Sequence, residues 1–142
     1  MRKSIWVVWL VISLVLSGCL QSKPSDLAVE VMAKRYWQDT LQLNDALALQ
    51  QATMLNGRNE GSDVYVAQVR YQLQSQLSES QLIEAIKQAE AQGQSARFDR
   101  AEVIETLKNL PVGFQANQSI ELVKTLEFRN GSRGWLLSGE IY

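Results

Sequence analysis

The stretch VYVAQVRYQL, residues Val64 to Leu73, decides the fold class. Tyr65, Ala67, Val69, Tyr71 and Leu73 fall on one face of an extended chain, and Gln68, Arg70 and Gln72 fall on the other. Successive side chains of a strand point to opposite faces, so this alternation describes a strand with one apolar side and one wet side. Such a strand asks for antiparallel neighbours and for a covering layer on its apolar side alone.

Toward the N-terminus, Asn56-Gly57 with Gly61 reads as a turn. The segment before it, Ala46 to Asn56, is open to two readings. Its Ala, Leu and Gln favour a helix, whereas Leu47, Leu49, Gln51, Thr53 and Leu55 alternate; we take it as the hairpin partner of Val64–Leu73. Earlier still, Asp26 to about Leu43 reads as a helix. Leu27 and Val31, the series Ala28–Met32–Tyr36, and the series Ala33–Trp37–Leu41 all recur at helical spacing. Ser25 is its N-cap and Asn44-Asp45 its stop.

Toward the C-terminus two helices follow. Ser78 and Gln81 form a capping box, with Leu77 and Leu82 as a hydrophobic staple; Asp99 and Glu102 resemble the same box, flanked by Phe98 and Val103. The first helix is expected to end at Gly93 and the second before Pro111. The chain then runs into a hairpin, Ile120–Phe128 and Trp135–Tyr142, around the turn signal Asn130-Gly131. A four-residue loop pairs Phe128 with Trp135, Leu126 with Leu137 and Lys124 with Gly139. A two-residue loop at Asn130-Gly131 sets Glu121 against Glu140, a like-charge pair, so the longer loop is preferred. Either loop places Ile120, Leu122, Leu126 and Phe128 on one face with Trp135, Leu137 and Ile141. The expectation is an α+β domain: an N-terminal helix, an antiparallel sheet of about four strands in two hairpins, and two further helices between the hairpins. This element order resembles the cystatin-like or NTF2-like architecture of some small envelope lipoproteins, and nothing functional is carried over from it.

Ahead of the domain the composition changes sharply. Arg2 and Lys3 precede an apolar run from Ile5 to Leu16 broken only by Ser13, and Ser17-Gly18 lead to Cys19. A basic end, an apolar stretch of this length and small residues at its close describe a secretory signal peptide. The run has twelve residues, against the roughly 20 needed to span a bilayer. Leu16-Ser17-Gly18-Cys19 resembles the lipobox of bacterial lipoproteins. That resemblance implies a diacylglycerol on the Cys19 thiol, cleavage just before Cys19 with Leu16, Ser17 and Gly18 as the recognition residues, and acylation of the new amine. Chains on one residue in that number hold stably to a membrane. Leu20, where retained inner-membrane lipoproteins of that kind carry Asp, implies the outer membrane, facing the periplasm. The chain thus divides into a signal peptide (1–18), a short acylated tether (19–25) and a single domain (26–142).

Composition narrows the chemistry. The leader holds two of the 14 basic residues and none of the 15 acidic ones, so the remainder carries a formal net charge of −3. A nucleic-acid binder needs a clustered basic face, and none is visible. The sequence has no His, and its single Cys is assigned to lipid. The commonest metal ligands and the commonest general base are therefore missing, and no metal or cofactor is expected. Glu102 and Glu105 share a helix face at i, i+3, but Glu102 is already assigned to capping; Glu84 and Glu90 do not share one. No catalytic residue is assigned.

Four residues are candidates for ligand or partner contact. Tyr36 and Trp37 either line a cleft between helix and sheet or fill the core, the commoner use of aromatics at helical spacing. Lys124 lies on an apolar face, as a binding cation or as a side chain snorkelling past Gly139. Trp135 lies on the same face. Lys34-Arg35, Arg58, Arg129 and Arg133 read as a solvated rim or as contacts to lipid headgroups or an acidic partner. The expected function is that of a non-catalytic accessory or binding subunit, held by its lipid in the membrane and contacting an envelope protein. The second reading is a small-molecule or lipid carrier using the cleft between helix and sheet.

Overall fold

A computed structural model describes residues 22–142; Leu16, Ser17, Gly18 and Cys19 lie outside the described residues. The fold is α+β, a single four-stranded antiparallel sheet in the order β1-β2-β3-β4 with helices before and between its two hairpins. The strands are β1 (Leu47–Asn59), β2 (Val64–Ser75), β3 (Ser119–Gly131) and β4 (Gly134–Ile141), and the helices are α1 (Asp26–Arg35), α2 (Glu79–Ala91) and α3 (Ala101–Lys108).

Helix α1 starts where Ser25, in an extended conformation, accepts the Ala28 N–H on its hydroxyl. Asp26 in its first turn and Lys34 and Arg35 in its last complement the helix dipole. The helix does not stop there: Tyr36–Leu41 continues it as a wider π-helical segment, closed by Gln42 in the left-handed region. The stop is therefore Gln42 rather than Asn44-Asp45. Two arginines from the segment between α2 and α3 fix it: Arg100 donates to the carbonyls of Thr40 and Leu41, and Arg97 donates to that of Gln42. These are carbonyls that a helix end leaves without internal partners.

The segment from Ala46 is the strand β1, running on to Asn59, so Asn56-Gly57 lies inside the strand and the turn is Glu60–Asp63. Gly57 is required by proximity instead, because a Cβ there would run into the ring and hydroxyl of Tyr65. Two register shifts, between Leu49 and Gln51 and between Met54 and Asn56, break the simple alternation of β1. Each extra residue switches the face. Leu49, Ala52 and Met54 consequently pack on the core, while Leu55 turns outward.

β2 keeps the expected pattern, with Tyr65, Ala67, Val69, Tyr71 and Leu73 all buried, and β3 answers it with Ile120, Leu122, Leu126 and Phe128. Onto this face α1 and its π segment lay Val29, Ala33, Tyr36, Trp37 and Leu41. Trp37 is fully buried, its ring 5.3 Å from that of Tyr71, and its indole N–H donates to the Leu47 carbonyl at 3.1 Å. The Tyr71 hydroxyl donates to the Ala33 carbonyl at 2.8 Å. The Trp37 and Tyr71 donors are thus both satisfied by backbone carbonyls, which ties helix to sheet.

The capping box of α2 forms as expected: the Ser78 hydroxyl accepts from Gln81 N–H and the Gln81 side chain accepts from Ser78 N–H. The helix closes at Gly93 (φ 69°), with Gly93 N–H on the Glu90 carbonyl and Gln94 N–H on the Ala89 carbonyl. The box expected at Asp99 does not form. A short 3₁₀ turn, Ser95–Arg97, delays the start by one residue, the N-cap is Arg100, and it makes no side-chain capping bond. Glu102 lies 3.6 Å from the Arg100 guanidinium instead of capping.

The last hairpin turns later than Asn130-Gly131. Asn130 pairs with Trp135 and Gly131 with Gly134, leaving Ser132-Arg133 as the loop. Asn130 is held in the strand because its N–H is bound to the Asp63 carbonyl in the β1–β2 turn, 2.9 Å away. Phe128 therefore faces Leu137 rather than Trp135. Neither of the registers considered from sequence occurs.

Candidate functional site

One buried cluster gathers polar groups from four separate elements. The register of the β3–β4 pair shifts between Glu127 and Phe128, where Ser138 is the extra residue on β4. The Ser138 hydroxyl donates to the Glu127 carbonyl at 3.1 Å, across the bulge. A bulge re-aims the side chains that follow it. Here it turns Glu140 onto the core face opposite Leu126, and it turns Ile141 outward, where Ile141 is exposed rather than joining Trp135 and Leu137.

Glu140 meets Lys124 there. The ammonium donates to Glu140 Oε1 at 2.7 Å and to the Thr106 hydroxyl at 2.7 Å, and the two charged side chains are 7% and 4% exposed. The Tyr36 hydroxyl donates to the other carboxylate oxygen, Oε2, at 2.6 Å. The Thr106 hydroxyl in turn donates to the Glu102 carbonyl at 2.7 Å. The π segment, α3, β3 and β4 each contribute one side chain. Burial, followed by the hydrogen bond to Glu140 and by its negative charge, pushes the Tyr36 hydroxyl well above the ordinary tyrosine range.

Lys124 therefore does not snorkel past Gly139. It stays inside because the bulge supplies a carboxylate on its own face, and a buried charge is stable only when paired and hydrogen-bonded. Sequence reasoning singled out Lys124 and Tyr36 and missed Glu140 and Thr106. A signal for Glu140 was present: an ammonium on an apolar strand face demands an acid, and Glu140 is the only carboxylate in β4.

The other candidates lie apart from this cluster. Trp37 fills the space between α1 and the sheet as a core residue. Trp135 is half-buried against Tyr65, edge to face with ring centroids 6.3 Å apart. Away from both, a groove of about 240 Å³ runs between α2 and the segment after α3, lined by Leu82, Ile83, Ile86, Leu107, Leu110 and Phe114. Among the described residues no three His, Cys, Asp or Glu side chains gather to hold a metal ion, and no helix is long and apolar enough to cross a membrane.

The class the fold defines is an α+β domain with one face of a single sheet covered. Comparison with known protein families, curated proteins and solved structures finds no match to this chain.

Proposed function

We propose that this protein is a lipoprotein anchored through Cys19 to the periplasmic side of the outer membrane, where its domain serves as a non-catalytic accessory subunit of an envelope protein assembly. The observation that carries this reading is the sequence Leu16-Ser17-Gly18-Cys19 at the close of an apolar run, only six residues ahead of the α1 cap at Ser25. Six extended residues reach at most about 20 Å, so the domain is held close to the membrane surface rather than on a long stalk. The chemistry of the interior supports the accessory role. Lys124, Glu140, Tyr36 and Thr106 spend their hydrogen bonds on one another and on backbone, an arrangement that fastens elements together.

Cys19→Ser tests the anchor: the variant should lose the acyl mass and fail to partition with membranes, and unchanged mass and partitioning would refute it. Formaldehyde cross-linking of the wild-type protein in cells, followed by purification in mild detergent, should recover a stoichiometric envelope protein. A chain that stays alone under those conditions counts against the accessory role.

A further inference from the structure

Helix α1 carries its buried residues Val29 and Ala33 on one side, together with the Tyr36 and Trp37 that follow. Opposite that side, the helix of a water-facing domain is normally polar. Here the outer pole carries Leu27, 72% exposed, and Val31, 42% exposed, stacked one turn apart. Lys34 continues the same line at i+7, Arg35 stands beside it, and Lys23 precedes the helix, two residues before the Ser25 cap; all three are exposed. Two branched aliphatics flanked by cations, on the side of the helix facing away from the core, form the pattern of a helix lying in a membrane interface.

Length and position select the occupant. α1 is the first element after the tether, and its ten residues span about 15 Å. A tether of at most about 20 Å keeps the domain within that distance of the bilayer, close enough for one of its faces to make contact. Among the described residues, Leu27 is the exposed large apolar side chain nearest the tether in sequence, and Val31 follows it on the outer pole of α1. We infer that Leu27 and Val31 insert at the headgroup level of the anchoring membrane while Lys23, Lys34 and Arg35 meet anionic phospholipid headgroups, giving the lipid anchor a second contact that fixes the orientation of the domain. This rests on the anchor reading above.

Because the sequence contains one Cys, an acylated chain has no free thiol, and one introduced Cys is a unique labelling site. The full-length protein is expressed, allowed to mature and reconstituted into phosphatidylethanolamine–phosphatidylglycerol vesicles, with an environment-sensitive fluorophore at Leu27→Cys, at Val31→Cys or at the control Val112→Cys, a fully solvated site on the α2–α3 side. Labels at 27 and 31 should be blue-shifted and several-fold less accessible to iodide than the label at 112, and Lys34→Glu with Arg35→Glu should reduce that protection. An acylated, vesicle-bound protein whose labels at 27 and 31 quench as freely as at 112 overturns the inference and leaves the anchor standing. A wild-type protein that itself takes up label, and lacks the acyl mass, instead refutes the anchor and the inference with it.

Discussion

The Lys124 ammonium and the Glu140 carboxylate meet at 2.7 Å in the interior, from strands that a plain alternation would have kept from pairing in this way. Removing one partner leaves an uncompensated buried charge, which costs about 3–5 kcal/mol. Lys124→Met and Glu140→Leu should therefore each lower stability by amounts of that order in urea unfolding. The double variant should be markedly more stable than the sum of the two implies, because replacing both partners by apolar groups removes the orphaned charge. Additive losses would show that the two groups are not energetically coupled.

The buried tyrosines make stability fall at high pH. Tyr71, buried and bonded to the Ala33 carbonyl, and Tyr36, bonded to Glu140, both have hydroxyls raised above the ordinary range, Tyr71 by burial and then by the Glu140 charge. In the unfolded chain tyrosines ionise near pH ~10. Above that pH the unfolded state holds fewer protons than the folded one, so the contribution is complete below about pH 10 and declines as pH rises through and beyond it. The slope due to Tyr71 grows toward a limit of about 1.4 kcal/mol per pH unit as the unfolded tyrosine becomes fully ionised, and Tyr36 adds in the same direction. Thermal unfolding followed from about pH 8 to about pH 11, a range that brackets the reference tyrosine value, should show a shallower decline in Tyr71→Phe than in wild type. Tyr71→Phe should also cost about 1 kcal/mol at neutral pH through its lost hydrogen bond.

The two helix starts between the hairpins differ, and two substitutions separate them. Ser78→Ala removes the acceptor of the α2 capping box and should cost about 1 kcal/mol. Asp99→Ala lies outside the α3 cap and should change stability by no more than about 0.5 kcal/mol. Equal losses would mean that Asp99 caps α3 in solution. Chemical denaturation of the two variants side by side decides it.

Gly57→Ala should destabilise the protein although the position lies in a strand, where Ala is ordinarily the better residue. The new methyl group would meet the Tyr65 ring and hydroxyl, and that ring is buried. Overpacking of this kind costs roughly 1–3 kcal/mol. Gly57→Ala combined with Tyr65→Leu should recover part of the loss in the same unfolding measurement.

Most of the fold was legible because local chemistry and global structure agree over most of the chain. The alternation in Val64–Leu73, the Ser78–Gln81 box, the helix end at Gly93 and the apolar series of β3 are all properties of short windows. The polar cluster was legible only by halves. Lys124 stands out against its apolar neighbours, but the identity of its partner depends on the register of β4, and three bulges across β1 and β4 change faces in ways no short window reveals.

By itself the sequence determined a helix ahead of a one-faced antiparallel sheet, since periods of 3.6 and 2 in apolar residues leave few other ways to bury them. It also supplied the lipobox-like Leu16-Ser17-Gly18-Cys19, a chemical motif that needs no fold to be read. Only the tertiary structure decided that Asn130-Gly131 is strand, that Ile141 points out and that Glu140 points in. The reason is physical: a turn signal is worth little against a backbone hydrogen bond from a neighbouring hairpin, here from Asn130 to Asp63. One extra residue at Ser138 then turned the following side chains over, and placed a carboxylate where Lys124 needed one.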